Sequence, residues 1–180
     1  PFIDAPVSGG VKRAAAGTIS IMVGGEKDSI ERARPLFQDI GDDVFECGEL
    51  GAGHALKALN NMLSALSVFA TTEALMIGKR FGLDPAVMID TINKSSGRSN
   101  ATELKFHQFI LNKDYGSGFS NGLMLKDLTI AQDLARSTGL SAPCTALVRD
   151  AFAEAVNHYG ANSDHTEVAR MLQEMRKTAI

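Results

Sequence analysis

The chain has 180 residues, of which 44% are hydrophobic and 22% charged, and its formal net charge is −3. This length suits one domain or two small ones and is enough to bury a core without disulfides or metals. Lys and Arg residues are scattered, which argues against nucleic acid or an acidic membrane surface as a partner. Cys47 and Cys144 form no disulfide framework and no secretory signal opens the chain, so we expect a cytoplasmic protein. Because the sequence begins at Pro1 directly in a strand pattern, we also expect it to be a fragment.

The longest uncharged stretch, residues 58–72, is too short for a membrane span. It has only fifteen residues, and these include two Asn, two Ser and two Thr. A spanning helix needs about 20 predominantly apolar residues. We therefore expect a buried helix and no membrane partner.

The first fifty residues alternate strand and helix patterns. Phe2–Val7 and Thr18–Val23 are typical of strands, and the latter places apolar side chains on one face with period 2. An apolar stripe from residue 30 to residue 40 predicts a helix, although Pro35 inside it would remove one hydrogen bond. Asp43–Cys47 predicts a third strand. This part is therefore the α/β end of a larger domain.

Residues after Gly48 show only helical patterns. Gly82 ends a long helix, and Asp84 with the following proline gives the cap and first position of the next one. The helices are predicted near residues 54–81, 85–94, 101–112, 121–138, 143–159 and 164–177. We therefore predict a mainly α chain with two domains, an α/β remnant at residues 1–50 and an all-helical domain at 51–180.

Lys57 is the first candidate for chemistry. Asn60, Asn61 and Ser64 follow it at i+3, i+4 and i+7, so a polar stripe runs along one face of a helix that is otherwise apolar. Such a stripe is expected where a helix lines a cleft. The positive helix end and partial burial would both lower the pKa of a lysine toward the working pH of a general acid and base. The alternative is a lysine whose stem packs while its amine reaches water, and the spacing alone favours this alternative.

Ser8, Gly9 and Gly10 form the second candidate. Small residues at the end of a strand let backbone N–H groups face an anion such as a carboxylate. The same triplet also fits a plain turn. No GxGxxG fingerprint occurs anywhere in the chain.

The other polar motifs carry weaker signals. Lys126 and Asp127 are adjacent on a predicted helix, and local evidence favours an exposed charge pair. Arg98 lies in a Ser/Gly-rich loop, where it could hold an anion or simply lie on the surface. The four histidines show no metal-ligand spacing, so no metal site is expected.

Taken together, these motifs resemble the β-hydroxyacid dehydrogenase family, close to the 3-hydroxyisobutyrate dehydrogenases and to the C-terminal domain of 6-phosphogluconate dehydrogenases. Four stretches carry the resemblance, in the family's order over the whole chain. They are Asp4–Gly10 with Gly17-Thr18 and Val23–Gly25, then Gly51–Asn61, then Ser95–Arg98, and finally Lys126–Leu128 with Ala131.

The resemblance implies a role for several residues. Ser8, Gly9 and Gly10 would bind the substrate carboxylate, and Lys57 would be the catalytic lysine. Asn61 would bind substrate one turn further along the helix. Lys126 would reach the dinucleotide, NAD or NADP.

The resemblance also implies an oxidoreductase that transfers a hydride between a nicotinamide cofactor and a small 3-hydroxy acid or semialdehyde. Its architecture would be a Rossmann domain joined by a long helix to an all-α domain, with homodimers or homotetramers formed through the helices. The family's leading βαβ unit is absent from the chain, so we expect these residues alone to be inactive. The alternative is a non-catalytic helical module for dimerisation or partner docking. The motifs identify neither the hydroxy acid nor the choice between NAD and NADP.

Overall fold

The computed structural model describes residues 1–41 and 43–180, which fall into two compact units, Pro1–Asn60 and Asn61–Ile180. The first unit contains the sheet and the second is helical. The strands are β1 (Ile3–Asp4), β2 (Val7–Ser8), β3 (Ser20–Gly25) and β4 (Asp43–Gly48). The helices are α1 (Gly10–Ala15), α2 (Lys27–Gln38), α3 (Ala52–Phe81), α4 (Pro85–Asn93), α5 (Asn100–Leu104), α6 (Asn121–Ser137), α7 (Pro143–Tyr159) and α8 (Glu167–Met175).

Strand β3 is the centre of the small sheet. β1 and β2 lie antiparallel along one edge of it, with Ile3 opposite Gly25 and Val7 opposite Ile21. β4 pairs with β3 in parallel, as expected when a helix connects two strands. Helix α2 makes that connection, and it covers the sheet with an apolar cluster that includes Ile21, Val23, Ile30 and Phe37.

The single strand predicted over Phe2–Val7 is instead two short ones. Pro6 interrupts it because proline has no N–H to give to the ladder, although its carbonyl still accepts from the N–H of Met22 at 2.9 Å. Helix α2 runs through Pro35 without ending, because its apolar stripe keeps Ile30 and Phe37 buried against the sheet. The short helix α1 was not predicted.

The second unit is helical throughout, apart from an isolated antiparallel bridge between Ser120 and Asp164. One predicted helix is divided, since residues 101–112 form α5 and then a π-helical turn, Phe106–Ile110. The core contains residues from α3 to α8, and its largest fully buried side chains include Phe106, Phe152 and Leu75. The predicted mainly α fold, with short strands before a helical domain, is confirmed.

Helix α3 is thirty residues long and begins in the first unit. By length and composition it could cross a membrane, but 44% of its most apolar window is buried inside the protein. Core helices of soluble proteins have the same property.

Candidate functional site

Lys57 lies in the second turn of α3 and is half-buried. Along the same helix, Asn61 is only 8% exposed, while Ser64 is half-buried and Asn60 is exposed. The polar stripe predicted from spacing is therefore enclosed to different degrees along its length. In a helix that is mostly apolar, enclosed polar side chains need polar partners.

The loop formed by Ser8, Gly9 and Gly10 joins β2 to α1. Gly9 has φ 138° and Gly10 has φ 64°, a backbone region that strongly favours glycine. A side chain at Gly9 would also meet the Cβ of Arg13 at 2.7 Å. The glycines therefore maintain a backbone conformation that other residues would distort.

Asp4, at the end of β1, is buried and holds the beginning of α3. Its Oδ1 accepts the N–H of Gly51 at 2.6 Å, and its Oδ2 accepts the N–H of His54 at 2.7 Å. The His54 ring nitrogen Nδ1 lies 2.9 Å from the same Oδ2. Burial by itself would raise the pKa of Asp4, but these hydrogen bonds outweigh it and hold the pKa below its usual value.

Two glycines leave the space that the Asp4 carboxylate occupies. A Cβ at Gly24 would lie 2.4 Å from Oδ1, and one at Gly53 would lie 2.8 Å from Oδ2 and 2.3 Å from the carbonyl oxygen of Met22. Asp4 belongs to the first stretch that carries the family resemblance, but no role was predicted for it. Two features of the sequence could have indicated this role. Asp4 is a carboxylate at the end of a strand, and Gly51, just before α3, has no side chain that could cap the helix.

In the second unit, Asp127 joins two of the predicted site residues. Its Oδ2 accepts from the amide nitrogen of Asn61 at 2.6 Å, and its Oδ1 lies 2.8 Å from the ammonium of Lys126. Asp127 is buried whereas the Lys126 side chain is 58% exposed. The local interpretation of Lys126 and Asp127 as an exposed charge pair was therefore wrong for Asp127, because its partner Asn61 is distant in sequence.

A second polar cluster, which was not predicted from the sequence, surrounds Lys105. Its ammonium donates to Ser64 Oγ at 2.7 Å and lies 3.0 Å from His165 Nε2. The other ring nitrogen, Nδ1, lies 3.1 Å from the carbonyl oxygen of Phe119, which can only accept. Nδ1 therefore carries the hydrogen, and Nε2 is free to accept from Lys105.

Burial controls the charges in this cluster. It lowers the pKa of the Lys105 ammonium to about 8, an effect that Asp164 opposes. Burial, with Lys105 beside it, also lowers the pKa of His165 to about 4, so His165 is neutral near pH 7. Ser64 belongs to the polar stripe of α3, and its hydroxyl accepts from Lys105, so the cluster and the stripe are connected by a hydrogen bond.

Lys105→Met is expected to change how stability depends on pH. In the wild type the unfolded chain binds more protons than the folded one between pH about 8 and 10.5, so stability should rise through that window. The stability of the wild type relative to the variant should therefore increase by about 2–3 kcal/mol between pH 7 and pH 10, allowing for partial exposure. Urea unfolding at both pH values measures this, and Lys94→Met, at an exposed position, gives the effect of removing a surface charge. An equal stability difference at the two pH values would contradict the prediction.

Arg98, the other candidate for holding an anion, lies at the surface. The guanidinium of Arg98 is 3.6 Å from Glu103 and its side chain is 63% exposed. Across residues 1–41 and 43–180, no three His, Cys, Asp or Glu side chains are grouped to hold a metal ion. Burial raises the pKa of the Cys47 thiol, so that thiol is not activated.

Comparison with protein families gives matches along almost the whole chain. The family described as the NAD-binding domain of NADP-dependent 3-hydroxyisobutyrate dehydrogenase matches residues 51–172. The NAD-binding domain of 6-phosphogluconate dehydrogenase matches residues 1–48. The chain belongs to the β-hydroxyacid dehydrogenase family. This confirms the resemblance found in the sequence, and with it the cofactor class, NAD or NADP.

Relatives within the β-hydroxyacid dehydrogenase family are similar over much of this chain. The 2-(hydroxymethyl)glutarate dehydrogenase of Eubacterium barkeri is 41% identical over 151 residues, covering 84% of this chain and 50% of the relative. The mitochondrial 3-hydroxyisobutyrate dehydrogenase of Mus musculus is 43% identical over 143 residues, covering 76% of this chain and 43% of the relative.

A solved structure agrees with these relatives. The 3-hydroxyisobutyrate dehydrogenase of Mycobacterium tuberculosis, determined with L-serine, superposes with TM-score 0.85 at 35% identity, covering 95% of this chain and 60% of that one. The chain thus spans about half the length of the relatives it matches.

Proposed function

We propose that the full-length protein containing this chain is an NAD- or NADP-dependent dehydrogenase of a small 3-hydroxy acid, such as 3-hydroxyisobutyrate. The observation that carries the proposal is Lys57 on the family-matched helix α3, with Asn61 one turn further along and bonded to the buried Asp127 at 2.6 Å. A buried carboxylate that fixes an amide is typical of a pre-organised binding group.

In the proposed reaction, the backbone of Ser8, Gly9 and Gly10 binds the substrate carboxylate. Neutral Lys57 accepts the proton of the substrate hydroxyl, and in reverse its ammonium returns that proton to the forming alkoxide. Asn61, held by Asp127, orients the substrate by hydrogen bonding. A hydride leaves the carbinol carbon for the nicotinamide ring, which is the chemistry that NAD or NADP supplies when bound.

Lys126 fits a role in holding the dinucleotide. Its ammonium is exposed, and the contact with the buried Asp127 restrains it. A lysine presents a point positive charge, which suits a phosphate group. The glycine fingerprint that would supply most dinucleotide contacts does not occur in this sequence.

A substrate panel with both cofactors on the full-length protein tests the proposed function. Turnover of one or more hydroxy acids in which the reacting carbinol carbon is β to the carboxylate is expected. The panel should include 3-hydroxyisobutyrate, 2-(hydroxymethyl)glutarate and L-serine, since these compounds appear in the names of relatives. The absence of turnover for every compound with both cofactors would contradict the proposal.

The 180 residues alone are expected neither to bind dinucleotide tightly nor to turn over substrate. Calorimetric titration with NAD and with NADP measures this, because the heat of binding requires no activity. An affinity in the micromolar range for either nucleotide would contradict the expectation.

Self-association through the helical unit is also proposed. Helix α3 leaves Leu63 61% exposed and Ile77 66% exposed, with the exposed Ala70 midway between them. A seven-residue spacing places all three on one line along the helix, as in helix–helix contacts. Sedimentation at high concentration should show dimers or tetramers that Leu63→Glu weakens, whereas Leu147→Glu, at an exposed site of α7, should not. Sedimentation as monomer only would contradict this.

The second candidate function is a non-catalytic dimerisation or docking module with the same fold. It is favoured only if the gene encodes an upstream domain that lacks a GxGxxG segment. An upstream domain with that segment favours the dehydrogenase. Cytoplasmic localisation remains a proposal too, because the name of the mouse relative places that protein in mitochondria.

A further inference from the structure

We propose that Asp4 is a positioning residue for Lys57, fixing the first turn of α3 and keeping the ammonium form of Lys57 available by its negative charge. The proposal rests on the proposed role of Lys57. Asp4 has no expected contact with substrate.

The positioning part follows from the hydrogen bonds. The first N–H groups of a helix have no partner within the helix, and α3 begins at Ala52. Asp4 accepts from the N–H of Gly51, just before the helix, and from that of His54 in its first turn, at 2.6 and 2.7 Å. A side chain 9% exposed, held at both oxygens, ties β1 to the helix that carries Lys57.

The same strand segment leads into the loop proposed to bind the substrate carboxylate. Asp4 ends β1 and Ser8 ends β2, four residues later. Asp4 therefore gives the carboxylate-binding loop and the start of the lysine-bearing helix a common anchor. Gly24 and Gly53 are required beside it because a Cβ at either would overlap a carboxylate oxygen.

The charge part follows from helix electrostatics. The N-terminus of a helix carries about half a positive charge, which opposes a nearby ammonium. Asp4 places a full negative charge against that end. Lys57 follows His54 by three residues, a rise of about 4.5 Å along the axis, so we expect the charge of Asp4 at the start of this helix to act on its ammonium.

Other ionisable groups surround Asp4. His54 on α3 contacts it directly, and the Cys47 thiol on β4 has a raised pKa, caused first by burial and in part by Asp4. Glu49 lies in the turn between β4 and α3 and is exposed. Each of these groups needs a control, because each could change the titration of Lys57.

The test is a lysine titration by NMR on the 180-residue chain labelled with ¹³C at lysine Cε, with the Lys57 signal assigned from its loss in Lys57→Ala. Asp4→Asn retains a capping oxygen and removes the charge, and it is expected to lower the pKa of Lys57 by about 0.5 unit or more. Asp4→Ser, an uncharged cap, should give the same result if the asparagine variant fails to fold. A shift below about 0.2 unit in a folded variant would overturn the proposal.

Two controls separate Asp4 from its neighbours. Glu49→Gln removes a charge from the adjacent turn and should shift Lys57 by less than half as much as Asp4→Asn. His54→Gln retains the Asp4 carboxylate and should leave the Lys57 titration unchanged. If Glu49→Gln had the same effect as Asp4→Asn, the specific role of Asp4 would be overturned.

A wild-type measurement keeps the test decisive if no Asp4 variant folds. In a wild-type sample labelled with ¹³C at the aspartate carboxyl carbon as well, the Lys57 Cε signal should show a second, smaller step that coincides with the titration of Asp4, and its absence would overturn the proposal. Because these readouts require no catalysis, they can succeed even if the proposed dehydrogenase activity fails. In the active full-length protein, Asp4→Asn should also move the Lys57-dependent limb of the pH profile to lower pH. For the reverse reaction, which uses the ammonium form of Lys57, it should lower kcat more than it changes KM.

Discussion

Lys57→Ala in the full-length protein is expected to lower kcat for the oxidation of the hydroxy acid by at least 10²–10⁴-fold, the typical contribution of a positioned acid–base group. The physical reason is that the substrate hydroxyl then has no amine to take its proton as the hydride leaves. KM should change much less, because carboxylate binding is assigned to Ser8, Gly9 and Gly10. Steady-state kinetics over a range of pH values measures both constants.

The matched control for this prediction is Lys79→Ala. Lys79 lies near the end of the same helix and is exposed, so its loss removes an equal charge from α3 and should leave kcat unchanged. A Lys57→Ala enzyme that retained wild-type turnover would eliminate Lys57 as the proton-transfer group. A parallel loss in the control would indicate a general effect of charge on the helix.

Asp164→Ala is expected to destabilise the helical unit by about 3 kcal/mol or more, since buried donors left without a partner cost about 1–3 kcal/mol each. The Asp164 carboxylate accepts from the hydroxyl of Ser117 at 2.9 Å, from the N–H of Gly118 at 2.8 Å and from the N–H and hydroxyl of Thr166 at 2.9 and 2.6 Å. These bonds join the loop before α6 to the start of α8. Chemical unfolding measures the loss of stability.

In the wild type, acid should remove the stabilisation that the Asp164 carboxylate provides. Burial would raise the pKa of Asp164, but hydrogen bonds from Thr166 and Ser117 and the neighbouring His165 outweigh it and hold the pKa below its usual value. The stabilisation is therefore fully present above the pKa of the unfolded chain, about 3.9, and is lost as the pH falls through the folded pKa.

Asp164→Asn should flatten this acid dependence, because it retains the shape of the side chain without the charge. Asp133→Ala, at a position 61% exposed with an i,i+3 partner, should cost about 0.5 kcal/mol or less. If Asp164→Ala were as mild as Asp133→Ala, the carboxylate would not hold the loop.

Much of the fold was predictable because its signals are local. Gly82 and Asp84 mark the end of α3 and the beginning of α4, and Pro143 begins α7 as expected at a first helical position. The π-helical turn at Phe106–Ile110 was not predictable, since its side chains have the same periodicity as an ordinary helix. The division of the first strand depended on how Pro6 pairs with β3, which is a tertiary property.

In the candidate site, too, the residues with local signals were predicted and those with distant partners were not. Lys57 and Asn61 were found because both lie on one helix, where spacing determines a shared face. Asp127 was misjudged because its partner Asn61 is 66 positions away in sequence. Lys105 and His165 were missed because the bond between them spans 60 positions and no motif connects them. The roles of Ser8, Gly9, Gly10, Lys57, Asn61 and Lys126 remain predictions until the variants are measured.

The crowding around Asp4 bears on how a mutational scan of this protein would have to be interpreted. Neither Gly24 nor Gly53 is expected to touch substrate, yet any side chain at either position must displace a carboxylate oxygen, and at Gly53 also the carbonyl oxygen of Met22. Alanine at these sites should therefore inactivate the enzyme as effectively as a change in the reacting groups themselves. A map of inactivating positions would show a second cluster around the strand end, and a ligand-binding measurement would be needed to distinguish this cluster from the catalytic one.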